Sequence, residues 1–221
     1  MKKLMVFDLV FYMIIPFLLW NYGRELFGDY YAILLSTVPG FIYTIYRFIQ
    51  ERQFNVAGIF IILSLFLSTT INLLSGNAEN LLWNSVYLGY GYAAIYLLSM
   101  LLRKPLALYF AVDFVYLQGH PREESKALFS SKGIFKWYQM MTGLLFIRGL
   151  FQSSLKAWLI YSYGGVHGYG HMLIYMQISG WFFAGLIAMG YFYIGSKVKH
   201  YVKEHYSENP VSPAEQADGA R

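Results

Sequence analysis

The chain has 221 residues, 57% of them apolar and 13% charged, with a net charge of +5 and no cysteine. A soluble globular domain carries about 45–50% apolar and about 25% charged residues, so an ordinary soluble enzyme, a disordered chain and a disulfide-stapled secreted domain are excluded. Thiol catalysis and iron–sulfur ligation go with the missing cysteines, and basic residues placed beside apolar runs point to topology and anionic lipid rather than to nucleic acid.

A helix needs about 20 mostly apolar residues to cross a bilayer of about 30 Å. The first such stretch covers residues 4–22 and is interrupted only by Asp8, with Lys2 and Lys3 before it. A cleaved signal peptide begins the same way, but the exit, Leu19-Trp20-Asn21-Tyr22, is bulky where a cleavage site needs small residues, so the helix is expected to be retained. The second span is read over 30–46, the third over 55–76 and the fourth over 80–102. The third lies in 26 uncharged residues, 53–78. Pro105 then opens an apolar run, 106–117, with only Asp113 charged. Twelve residues are too few to span, so this is expected to be a short cytoplasmic interfacial or re-entrant helix. The fifth span, 137–161, contains Arg148 and Lys156; the sixth is 172–195. Residues 197–221 read as a polar cytoplasmic tail with a disordered end. The expected fold is an all-α integral membrane protein with six transmembrane helices in one membrane domain, 1–196.

Orientation follows from the basic residues in the short loops. With the N-terminus inside, fourteen of the seventeen Lys and Arg are cytoplasmic and only Arg24 is outside. Both termini are therefore expected in the cytoplasm of a bacterial cell, with the spans in its plasma (inner) membrane. Two halves of three spans each, in opposite orientation, is the layout of inverted-repeat transporters, although no residue-level repeat accompanies it.

Arg148 is the sharpest chemical signal, because a charge at mid-bilayer costs at least about 2.5–3.5 kcal/mol and needs a partner. Asp8, Asn72 and Asn84 are the candidate partners, or an anionic ligand. Lys156, nearer a span end, is expected to snorkel outward. Ser85, Gly89 and Ala93 are spaced by four in the fourth span, and Gly180, Ala184 and Ala188 in the sixth. Small faces let helix backbones approach closely, so these two spans are expected to dock on each other, with dimerisation through one face as the alternative. His167 and His171 are four apart and are weak metal candidates, since three glycines in the stretch oppose a helix and no third ligand is nearby. No nucleotide loop or hydrolase motif appears, so no catalytic residue and no cofactor are expected.

Leu101-Leu102-Arg103-Lys104-Pro105-Leu106, ending the fourth span, and Phe135-Lys136-Trp137 with Gly143-Leu144-Leu145-Phe146, opening the fifth, are similar to small bacterial inner-membrane proteins related to the intracellular septation protein A family. The resemblance implies a multi-pass envelope protein that acts through protein partners, with no catalytic residues to carry over. The leading expectation is therefore a non-enzymatic membrane protein that organises or modulates cell-envelope machinery. Its partners are the lipid bilayer, membrane proteins or a second copy of itself, and no nucleic acid. The alternatives are a small-solute transporter or channel using Arg148, and a membrane-embedded lipid-modifying enzyme.

Overall fold

A computed structural model describes residues 7, 9–50 and 55–206. Asp8 and the end of the tail, on both of which the sequence carries an expectation, lie outside the described residues. Every regular element among the described residues is helical. A π-helical turn, Val10–Ile14, leads into α1 (Ile15–Gln50), then α2 (Val56–Leu74), α3 (Ala78–Leu101), α4 (Leu106–Leu117), α5 (Arg122–Phe129) and α6 (Lys132–Ser162). A 3-10 turn, Gly165–Gly168, opens α7 (Tyr169–Tyr206). Three stretches are long and apolar enough to cross a membrane: Val10–Gln50, Val56–Leu74 and Gly165–Glu204. A fourth is added if α3 and α4, which meet at 89°, form one broken span. α6, with four basic residues, is not among them.

The stretch Val10–Gln50 folds back on itself. It breaks at Gly28, whose φ of 77° is a conformation that side chains oppose. Beyond the break, Phe11 stacks on Tyr43 with ring centroids 4.9 Å apart, and Tyr12 shares a 2.6 Å hydrogen bond with Thr44. A continuous helix would hold residues 32 apart at about 48 Å. The break falls in the segment, 23–29, that the sequence places between its first two spans. Near it, Gly23 lies close enough to Ala32 for an added Cβ to meet that side chain at 3.6 Å.

α4 forms over the expected residues, entered through Pro105 after a corner at Arg103, which has a φ of 53°. α7 continues past the expected end of the sixth span to Tyr206, so the first part of the polar tail is helical, with a 2.9 Å His200–Glu204 contact one turn apart.

α6 is central and packs along α3, α7, α4 and α5. Its inner face recurs at helical spacing: Ile134, Tyr138, Met141 and Leu145, then Ser153, Leu159 and Ile160. The buried apolar residues form two separate clusters. One, at the Gly28 end, joins Trp20, Ile33, Leu82, Leu159 and Met172. The other, at the α4–α5 end, joins Leu108, Phe129, Ile134, Tyr138 and Ile194. The polar part of α6, from Arg148 to Lys156, falls between them.

The expected docking of the fourth and sixth spans is corrected: α3 packs on α6, not on α7. Ser85, Gly89 and Ala93 face Lys156, Ser153 and Gly149 in antiparallel register. A Cβ on Gly149 would lie 3.0 Å from the Ala93 Cβ, and one on Gly89 would overlap the Ser153 hydroxyl. On α7, Ala184 and Ala188 are exposed, and Gly180 faces Gln152 of α6. α7 turns Met172, Ser179, Phe183 and Ile194 inward instead.

Candidate functional site

Beside the α3–α6 seam lies a cleft of two lobes, about 570 and 500 Å³. They share Tyr12, Arg148, Gln152, Lys156 and Met176, so they meet along one face of α6. Residues 148, 152 and 156 are successive i+4 neighbours, which stacks their side chains in a row. Measured from Ser162 at the helix end, Lys156 lies about 9 Å and Arg148 about 21 Å along the axis. The first lobe is walled by α2 and α3, with Phe60, Leu65, Tyr92 and Tyr96. The second runs between the N-terminal hairpin and α7, past Arg47, Gln177 and Trp181. Among the described residues, neither lobe has an Asp or Glu in its lining.

The Arg148 Nε is buried and meets no hydrogen-bond partner among the described residues. The side chain as a whole is half-buried, and a buried donor left without an acceptor costs about 1–3 kcal/mol, so Arg148 meets the cleft with hydrogen-bonding capacity unused. Lys156 does not snorkel, as the sequence suggests. Its Nζ donates to the Ser85 Oγ at 2.5 Å across the seam, and its stem lines both lobes. Ser85 in turn donates to the Leu82 carbonyl at 2.6 Å. The close approach permitted by Gly89 and Gly149 is what brings Ser85 within reach of Lys156.

Asn72 and Asn84, expected beside Arg148, belong elsewhere. The Asn84 amide donates to Ser75 at 2.9 Å, and the Asn72 and Leu73 carbonyls accept from the Tyr30 hydroxyl at 3.2 and 2.9 Å. Both asparagines sit at the Gly28 end of the bundle, about two turns or more above Arg148, and fasten the end of α2. The other end of α2 is fastened by Asp113. Its carboxylate accepts from the Ala57 backbone N–H at 2.9 Å and pairs with Arg122, while Asn55 caps the helix by accepting from Gly58 at 2.8 Å. Only Gly58 and Asn72, near the two ends, are buried in α2. The helix is clamped at its ends, and its middle forms one wall of the cleft.

His167 and His171 are held by different groups. The His167 Nδ1 accepts from Arg24 at 3.3 Å, and the His171 ring stacks on Tyr163 at 4.8 Å. Among the described residues, no three His, Cys, Asp or Glu side chains group as metal ligands. Gln152, Tyr92 and Tyr96 were not singled out in the sequence. The signal for Gln152 was its place midway between Arg148 and Lys156 on one helical face. No protein-family model, curated protein or solved structure matches the chain.

Proposed function

We propose that the chain is a multi-pass bacterial inner-membrane protein that holds an anionic group inside its helix bundle, as a carrier or channel does. The observation that carries this is the buried, unpartnered Nε of Arg148 in a cleft that also receives Lys156 and has no described acidic lining. The two arms of α1, with α2, α3, α6 and α7, make the six spans of the proposed topology. α4 and α5 then lie on the cytoplasmic side, as do both termini. α6 crosses despite its charges because Arg148 and Lys156 face the cleft within the bundle, while large side chains exposed near them, such as Ile147, Phe151 and Trp158, are apolar. The reading as a partner-dependent organiser of envelope machinery, drawn from the resemblance, the short outer loops and the basic inner surface, takes second place.

Electrometry on protein reconstituted in vesicles tests the proposal, with concentration jumps of phosphate, acetate, hexanoate and decyl phosphate. At least one anion should displace charge, and Arg148→Gln should abolish the displacement while eluting as the parent does on size exclusion. Silence with every anion, or an unaltered response in Arg148→Gln, overturns it.

A further inference from the structure

The cleft is too large and too unevenly lined for a small hydrated anion. The first lobe alone has about 570 Å³, within the range of pockets for drug-sized ligands. At about 30 Å³ per water, a small ion would leave space for well over ten waters. The wall opposite Arg148 offers them little. Phe60, Ile61 and Leu65 of α2 line it, with Leu145 and Met176 beside them. Such side chains give water no hydrogen bonds, so this part of the lining favours an apolar occupant. One side of the lobe is thus a row of cationic and amide groups on α6, and the α2 side is mainly apolar, with Ser64 and the rings of Tyr92 and Tyr96 completing the lining.

The position of α2 adds to this. Its middle touches the cleft on one side, while Leu63 and Phe66 are 64% and 53% exposed on the other. In the proposed topology that outer surface meets lipid, so the apolar end of the cleft is one helix removed from the bilayer. The contacts that hold α2 are concentrated at its ends, at Asp113 and Tyr30, with Tyr92 donating to the Ser64 carbonyl at 3.0 Å in between.

We infer that the occupant of the cleft is an anionic amphiphile, its acidic head at Arg148 and its apolar body between α2 and α6. This rests on the reading of the cleft as an anion site and names the class of anion. A lipid of the bilayer and a free single-chain acid share that chemistry.

The chain has no cysteine, so Leu65→Cys, inside the cleft, and Leu63→Cys, on the outer face of the same helix, are clean probes. Each variant is placed in phosphatidylcholine vesicles, and its reaction rate with N-ethylmaleimide is followed. Decyl phosphate should slow Leu65→Cys about tenfold at ten times its half-effective concentration, and leave Leu63→Cys unchanged. Inorganic phosphate should protect neither, and Arg148→Gln should remove the protection of Leu65→Cys. Vesicles containing phosphatidylglycerol without decyl phosphate distinguish the sources. Protection there identifies a bilayer lipid, and protection by decyl phosphate alone identifies a free acid; either result supports the inference. Equal protection by inorganic phosphate overturns the amphiphile and leaves the anion site standing. Protection by no anion overturns the amphiphile, and the electrometry with Arg148→Gln then decides whether a small anion is held there instead.

Discussion

α2 and α6 border the same cleft and otherwise have little in common. α2 has no charged residue, and only two of its 19 residues, Gly58 and Asn72, are buried. α6 carries Lys132, Lys136, Arg148 and Lys156, yet eight of its residues are buried and four other helices pack on it. In water the hydrophobic effect would drive the apolar helix inside and leave the basic one out. Lipid tails are as apolar as leucine, so on the proposed topology α2 gains little from burial, whereas α6 gains polar partners that lipid lacks. The pair teaches that apolarity marks the helices that face lipid, while intramembrane charge marks the centre of the bundle. It also explains how each is held, α6 by a seam along its length and α2 by polar clamps at its ends.

The largest expected effect comes from prising the seam apart. Gly149→Leu would place a branched side chain where a Cβ alone already stands 3.3 Å from the Ala93 Cα. Overpacking costs about 1–3 kcal/mol, and more where backbone must move. Most of the protein should be lost from the monodisperse peak on size exclusion. Gly91→Leu, on α3 with open space around it, should behave as the parent. A monodisperse Gly149→Leu protein of parental melting temperature would show that α6 is not the spine of the bundle.

A clamp on α2 should matter less than the seam. Asp113 is 2% exposed and serves both the first turn of α2 and Arg122. Asp113→Ala removes both interactions, a cost of about 1–3 kcal/mol, and should speed amide exchange in the first turns of α2 without changing that of α6. Arg122→Gln should also loosen this end, because it leaves the buried Asp113 carboxylate without its counter-charge and with only the bond from Ala57. Equal exchange in α2 before and after Asp113→Ala would mean that this end is held by something else.

Much of this arrangement was legible in the sequence, for physical reasons that also set its limits. The apolar stretches, the short helix after Pro105 and the turn before Asp29 are local properties, and hydropathy and glycine placement report them. Arg148 pointed to the cleft because a charge in an apolar run has few other uses. Which way Lys156 turns depends on a hydroxyl 71 residues away, and no local pattern carries that. The stripe Ser85-Gly89-Ala93 was visible, but its partner was hidden. Gly149 and Ser153 are four apart, yet Arg148, Gln152 and Lys156 flank them and disguise the small face. Asn72 and Asn84 looked like partners for Arg148 because composition gives polarity without depth.

Lys156→Met separates stability from function on α6. Replacing a buried charge with an apolar side chain of similar volume is often neutral or stabilising, so the melting temperature should hold or rise. Ser85 keeps its bond to Leu82. An anion at Arg148 lies about 12 Å from the level of Lys156, where a unit charge at an effective dielectric of about 20 contributes about 1.4 kcal/mol. Half-protection of Leu65→Cys should therefore need about tenfold more decyl phosphate. A melting temperature that falls with anion protection unchanged would make Lys156 a structural tie across the seam and nothing more.

The smallest effects should come from the faces that meet lipid on the proposed topology. Ala184→Leu on α7 and Leu63→Ala on α2 change exposed positions, and each should leave the stability within about 0.5 kcal/mol of the parent, with little change in melting temperature. The two variants ask different things of the comparison. A tolerated Leu63→Ala says that hydrocarbon replaces whatever the leucine touched, so α2 owes nothing to its outer surface. A tolerated Ala184→Leu says that the small stripe of the sixth span is no helix seam, because the same enlargement is expected to be ruinous at Gly149. Were Ala184→Leu instead to shift the protein to a smaller species on size exclusion while preserving its melting temperature, the stripe would be a contact between two copies. α7 would then join α6 as a helix that its small residues hold in place.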